Sequence, residues 1–501
     1  MSFVPPEVAL AGISPELALA AAALLLLVVD AALGERLGRG YLVVVASVAL
    51  GVSIGLAVAA WRAVASDGPQ LQLAGMIALD GFAIFVKVTL AVFGLLTVWL
   101  GRDYLAREGN EEAEFYALVL FAVAGMMLMA DAADLIMVFL ALETFSIALY
   151  VLVAYRRRSL EGQESALKYF LLGAFSSAFF LLGIALAYGA VGGTNLYGSS
   201  QPGALAGIVG HVRSTPASGL ALLVLATGLL IVGLGFKVAA VPFHAWTPDA
   251  YQGAPSPVTG FMAAGSKLAG FAALLRLLDA ALFSLRWDWR PLVIGIAVVT
   301  MTVGSVLAIV QEDVKRLLAY SSIAHAGFVL TGVIAANDDA ISGSLFYLAT
   351  YGIAVLGAFA VVSLLAGRDE RRVRLGDYRG LFYRSPLMAG ALTLFLLSLA
   401  GVPLTSGFVG KLVVFGSAVE AGYSWVVVVG VLTSAIAAFF YLRVLVVMYM
   451  EEPGEELERA RPGGFGAGVV ALTAVATVAL GIYWGPLIDI ASRATFFFVS
   501  G

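Results

Sequence analysis

Apolar runs of about twenty residues follow one another along the whole chain, parted by short polar turns. They lie near 16–33, 41–61, 82–100, 113–131, 134–154, 166–191, 219–241, 256–278, 291–311, 316–336, 341–366, 388–416, 424–449 and 465–485. About twenty apolar residues at the helical rise cross the hydrocarbon core of a bilayer. The pattern therefore predicts an all-α polytopic membrane protein of about 14 transmembrane helices, numbered here as spans 1–14. The stretch 192–218 is rich in Gly, Ser and Pro and is predicted to be irregular. Two spans carry an internal proline. Pro242 cannot donate to the carbonyl of Val238, nor Pro403 to that of Leu399, so spans 7 and 12 are predicted to break. A broken span is tolerated only where protein or a water cavity satisfies the freed backbone. A plain structural kink is the simpler reading of either proline alone.

The pattern also echoes itself. "SALKYFLLGAF" (165–175) is similar to "SLFYLATYGIAVLGAF" (344–359), and "VAAVP" (238–242) to "LAGVP" (399–403). Duplicated halves with interrupted helices are a transporter signature.

Composition narrows the reading. The chain has 501 residues, 61% apolar and 12% charged, with a mean hydropathy of +0.98. Residues 1–15 lack a basic n-region, so the first run reads as an anchor rather than a cleaved leader. Cysteine is absent, which removes disulfides and thiolate-bound clusters; three histidines are too few for a haem or metal centre. With no GxGxxG after a strand and no Walker loop, no nucleotide site is expected in this chain, and nothing points to nucleic acid. Loops after odd-numbered spans hold the cations, for example Arg156–Arg158 and the cluster from Arg368 to Arg384. Those after even-numbered spans hold only Arg62, Arg213, Arg286 and Arg290. The bias places odd loops in the cytoplasm and both termini on the outer side.

The six lysines stand apart from this distribution. Arginine makes up 23 of the 29 cations, yet Lys87, Lys237, Lys267 and Lys411 lie inside apolar segments, and Lys168 lies near the start of another. Arginine stays protonated, whereas a buried lysine can release and regain a proton as a carboxylate recedes and approaches. A charge at mid-bilayer costs roughly 2.5–3.5 kcal/mol even on the cheaper scales, which calls for a function or a partner. Snorkelling to the interface remains open for Lys168 and Lys87. Glu143, in "FLALETFSIALY", has no charged neighbour in sequence, and Lys237 is its candidate partner. A static ion pair locking two helices is the alternative. Glu164, 21 residues on, could lie near Glu143, while Asp131 and Asp134 read as interfacial. His244 and His325 suit either proton relay or structural hydrogen bonding, and Ser321 and Ser322 could hold waters beside His325. Glu143, Lys237, Lys267, His325 and Lys411 thus read as a titratable row.

"GLGFKVAAVPFHAWTPDAYQGAPSPVTGFMAAGSK" (233–267), "ESALKYFLLGAFSSAFFLLGIALAYGAVGGTNL" (164–196), "VKRLLAYSSIAHAGF" (314–328) and "LAGVPLTSGFVGK" (399–411) closely resemble the subunit N family of bacterial proton-pumping NADH-quinone oxidoreductase, respiratory complex I. The resemblance runs from about span 3 to span 13. It implies two inverted five-helix repeats, spans 4–8 and 9–13, with discontinuous helices 7 and 12. The corresponding units are residues 1–112 (three N-terminal spans), 113–278, 279–450, and 451–501 (an acidic loop, span 14 and a tail without an assignable motif). It also implies proton-transfer roles for Glu143, Lys237, Lys267, Lys411, His325, His244 and Glu164. The sequence "TFSIALY" after Glu143 departs from the family pattern. By the same resemblance, the chain couples NADH-to-quinone electron transfer to proton translocation in a bacterial inner membrane, beside other complex I membrane subunits, with lipid, water and protons around it. FMN, iron–sulfur clusters and quinone would sit in those partners. An Mrp-type Na+/H+ antiporter subunit is the alternative function.

Overall fold

The computed structural model describes residues 10–34, 36, 38–157, 159–198, 207–453, 463–494 and 496. Most of the acidic loop 451–464 and the end of the tail lie outside them, as does Arg158. Twelve helices among the described residues are long and apolar enough to cross a membrane. They are spans 1–6 (Ser14–Leu33, Gly40–Asp67, Gly81–Glu108, Ala113–Asp131, Leu135–Val153, Leu160–Val191), 8–11 (Ser256–Ala281, Phe283–Ile309, Val314–Ala335, Asp338–Leu365), 13 (Ser424–Met450) and 14 (Gly464–Ile482). Spans 7 and 12 complete the fourteen, each in two pieces: Ala221–Lys237 with Trp246–Gly253, and Pro386–Ala400 with Ser406–Glu420. The two breaks bracket Pro242 and Pro403, as the missing N–H of each proline demands.

Burial sorts the spans into a centre and a rim. The apolar window of span 8 is 100% buried, span 10 94% and span 11 83%, against 22% for span 1 and 28% for span 14. Span 8 is also irregular: π-helical turns at Met262–Ser266 and Arg276–Ala281 flank its regular stretch. A π turn loosens the hydrogen-bond ladder, and these two lead into Lys267 and begin at Arg276.

Cations tie the loops together by side. At one end, Glu370 accepts from Lys315 Nζ (2.7 Å) and from the Ser256 backbone N–H (2.6 Å), with Arg156 Nη1 3.6 Å away. Arg156 also donates to the Asp369 carbonyl, and the Asp369 N–H reaches Glu108. Loops after spans 3, 5, 9 and 11 therefore meet on one face. Burial alone would raise the Glu370 carboxyl, but Lys315 and Arg156 outweigh it and hold the group below its ordinary range. At the other end a short hairpin, Gln70–Gln72 with Ile77–Leu79, meets the loop after span 6 through Asn195, which donates to the Gly75 carbonyl.

Candidate functional site

Lys237 ends the first half of span 7 and is 3% exposed. Its ammonium donates to Ser146 Oγ at 2.7 Å, and Ser146 donates onward to the Leu142 carbonyl. Four rings, Phe145, Tyr150, Tyr169 and Phe236, surround Nζ at 5.3–5.6 Å from their centroids. Trp246 closes the break by donating to the Phe236 carbonyl at 3.0 Å, and Thr300 Oγ1 accepts from the Val241 N–H. The aromatic cage and these borrowed partners make a broken span tenable inside the protein.

Glu143 is not in contact with this ammonium. It lies half-buried on span 5 and accepts from Ser177 Oγ of span 6 at 2.5 Å. The expected pair is therefore not formed: Glu143 of span 5 is bonded to Ser177, and Lys237 of span 7 to Ser146. Leu140, Ile147, Phe175 and Leu181 on spans 5 and 6 are exposed to the outside of the chain.

Lys267 follows the first π turn of span 8 and is 2% exposed. Its Nζ donates to the Ser322 carbonyl of span 10 and sits 5.5 Å from the centre of the Tyr351 ring. Tyr351 packs on His325 at 4.8 Å between centroids. His325 shares a 2.7 Å hydrogen bond through Nδ1 with Tyr347 and a 3.3 Å contact through Nε2 with Tyr441, which pairs with Ser321. Phe328 lies against the same imidazole, and Lys411 Nζ stands 4.9 Å from its ring centre. Lys267, His325 and Lys411 are in this way brought into one continuous aromatic and hydroxyl lining.

Lys411 answers the break in span 12. Its Nζ donates to the carbonyls of Leu399 (3.1 Å) and Ala400 (2.8 Å) and to Ser434 Oγ (2.7 Å). Leu399 is the acceptor that Pro403 leaves bare, and a cation at a helix C-terminus also suits the helix dipole. Gly401, at φ +88°, turns the chain here; a Cβ on it would come within 3.0 Å of Lys411 Cδ. A cavity of about 10 Å³, lined by His325, Tyr347, Tyr351, Ser398, Leu399 and Gly407, opens beside this turn. That volume admits about one water molecule.

Two expected residues fall elsewhere. Glu164 is exposed and pairs with Lys168 (2.8 Å), which also meets Asp249 (3.0 Å) and through it Arg316 (2.7 Å). His244 lies half-buried in the break of span 7, its Nδ1 without a hydrogen-bond partner among the described residues.

The charged groups taken as interfacial, or passed over, correct the sequence reading. Asp131 is fully buried with Lys87 and Glu16, because spans 1, 3 and 4 pack around it. Arginine is not confined to loops either: Arg276, 1% exposed, forks onto both oxygens of Asp80 at 2.7 and 2.9 Å. Asp134 instead caps span 5 and accepts from Thr194. Of the residues the reading overlooked, Tyr347 and Tyr351 had a signal, since their i, i+4 spacing puts two hydroxyls on one face of an apolar helix. Ser146 and Ser177 had none.

The family described as "NADH:quinone oxidoreductase/Mrp antiporter, TM" matches residues 132–437. The chain is 43% identical over 484 residues to NADH-quinone oxidoreductase subunit N 1 of Solibacter usitatus, covering 96% of each. Among solved structures it is similar to a chain of respiratory complex I from Thermus thermophilus with bound aureothin, at 36% identity and a TM-score of 0.79, covering 96% of this chain and 100% of that one. A chain of the Mrp complex from Dietzia sp. DQ12-45-1b shares the fold at TM-score 0.83 and 22% identity, covering 96% of both.

Proposed function

The chain belongs to the NADH-quinone oxidoreductase subunit N family, and on that premise we propose that Glu143, Lys237, Lys267, His325 and Lys411 carry the protons it moves. It is a multi-pass membrane-arm subunit of a hetero-oligomeric, proton-translocating oxidoreductase. Electrons pass through FMN, iron–sulfur clusters and quinone in partner subunits. The observation that carries the reading is that, among the described residues, no carboxylate lies within ion-pair distance of Lys237, Lys267 or Lys411. Each is held by hydroxyls, carbonyls or ring faces instead. Neutral partners leave a lysine free to lose its proton, and a carboxylate can recharge it.

Glu143 is the movable acid. Held by Ser177, it leaves Lys237 with a serine; released, it can approach the ammonium. An approach to about 4 Å at an effective dielectric near 20 is worth roughly 4 kcal/mol, about a thousandfold in proton affinity. The half-exposed Glu143 would be covered by a neighbouring membrane subunit, whose state would set its position. From Lys267 the proton passes the His325–Tyr347–Tyr441 hydroxyls and the small cavity to Lys411. His244 and Glu164 serve as outer groups at the mouths of the path. Spans 4–8 (113–278) and 9–13 (279–450) act as two inverted repeats, each with one break. Odd-numbered loops face the cytoplasm of a bacterial inner membrane, supported by the arginine bias and by their meeting at Glu370.

The test is NADH-driven proton translocation by the assembled complex in sealed, sodium-free vesicles. Wild type is expected to pump. Lys267→Met is expected to slow transfer through this chain roughly a hundredfold, the lower range for losing a proton-transfer group. Unchanged pumping in that variant removes the row from the mechanism, and a strict sodium requirement favours the Na+/H+ antiporter reading.

A further inference from the structure

A second set of buried titratable groups lies away from the row, among spans 1, 3 and 4. Lys87, 1% exposed, brings its Nζ within 2.8 Å of Glu16 Oε1 and 2.5 Å of Asp131 Oδ2 and donates to the Gly12 carbonyl at 2.7 Å. Of the three N–H groups of the ammonium, one goes to the Gly12 carbonyl, while the two acids face it at ion-pair distance. Glu16 and Asp131 are 3% and 0% exposed; none of their four carboxyl oxygens has a hydrogen-bond partner among the described residues, and Lys87 meets Oε1 and Oδ2 as ion pairs only. Arg276, a further buried cation, is forked onto both oxygens of Asp80. Gln72, beside the triad, spends its Oε1 on the Gly12 N–H at 2.8 Å. Two ionised carboxylates on one ammonium would leave a net negative charge on carboxyl oxygens without hydrogen bonds in a dry site, which is costly.

We propose that Glu16, Lys87 and Asp131 form a proton-binding site in which the two carboxyls hold one proton between them over a single ammonium. The proton removes the surplus charge and turns one bare acceptor into an O–H donor. Because both acids touch the same Nζ, the proton belongs to the pair rather than to either acid. The site is a buried proton store in the N-terminal spans, separate from the lysines of spans 7, 8 and 12.

The test is infrared difference spectroscopy of the assembled complex, wild type minus Asp131→Asn and wild type minus Glu16→Gln. Each spectrum is expected to show loss of one protonated-carboxyl C=O band, shifted in D2O. Asp131→Glu, which restores the acid, is expected to restore the band. Should both neutral variants lose only ionised-carboxylate bands, the pair holds no proton and the proposal fails. Subunit content of the purified complex confirms that the variants compared are assembled. The same spectra in a Lys267→Met background separate this result from the proton row, because the triad band is expected to persist there.

Discussion

The cations of spans 7, 8 and 12 and those at the ends of the bundle are equally buried but differently partnered. Arg276 has both oxygens of Asp80, Lys315 has Glu370, and Lys87 has two acids. Lys237, Lys267 and Lys411 have a serine hydroxyl, a backbone carbonyl, and two carbonyls with a serine. A carboxylate partner keeps a cation charged and makes it a fastener. A neutral partner keeps the ammonium solvated enough to exist without fixing its charge, which a carrier of protons requires. Arginine, which does not give up its proton, serves only among these fasteners, at Asp80; lysine serves on both sides, fastened by acids at Lys315 and Lys87 and held by neutral groups at the three central positions.

The sharpest way to break this contrast is to unfasten an end. Asp80→Asn leaves Arg276 buried with the Asp80 charge gone and an amide N–H facing one of its donors. We expect about 3–5 kcal/mol of destabilisation, the usual cost of breaking a buried pair, read as loss of the assembled complex or a lowered unfolding temperature. If the variant assembles and pumps as wild type, Arg276 is no fastener.

Acid tests the Glu370 junction next. Its carboxyl is held below the ordinary range. Its contribution is therefore fully present above the unfolded value, about 4.3, and is lost as pH falls through the lower folded value. Thermal unfolding of the complex across that window is expected to be steeper in wild type than in Glu370→Gln, which is less stable than wild type at neutral pH. Equal slopes contradict the assignment.

The smallest expected effect sharpens the other side. Gly401→Ala places a Cβ at φ +88° against Lys411. The backbone cost is about 1–2 kcal/mol, and displacement of Nζ from the Ala400 carbonyl is expected to lower proton translocation severalfold while NADH oxidation through the partner subunits persists. Normal translocation would separate Lys411 from the break.

Much of the fold was legible in the chain. Hydropathy alone delimits the spans because each must cross the same thickness of hydrocarbon, and Pro242 and Pro403 mark the breaks because a missing N–H is local chemistry. Partnerships were not legible where they join distant residues. Asp80 and Arg276 lie 196 positions apart, and no local pattern couples them. Asp131 looked interfacial because it ends an apolar run; only the packing of span 1 over span 4 buries it. Glu143 was matched to Lys237 by charge, the one long-range force visible in a sequence, while the serines each of them bonds instead, Ser177 and Ser146, carry no charge to notice.

The central claim is that Lys237 works by losing its proton, and Lys237→Arg in the assembled complex tests it most directly. The charge, the Ser146 contact and the aromatic cage have a cationic occupant in both proteins, but arginine holds its proton. NADH-driven proton translocation is predicted to fall roughly a hundredfold through this chain while subunit content stays unchanged; translocation at the wild-type rate would contradict the account.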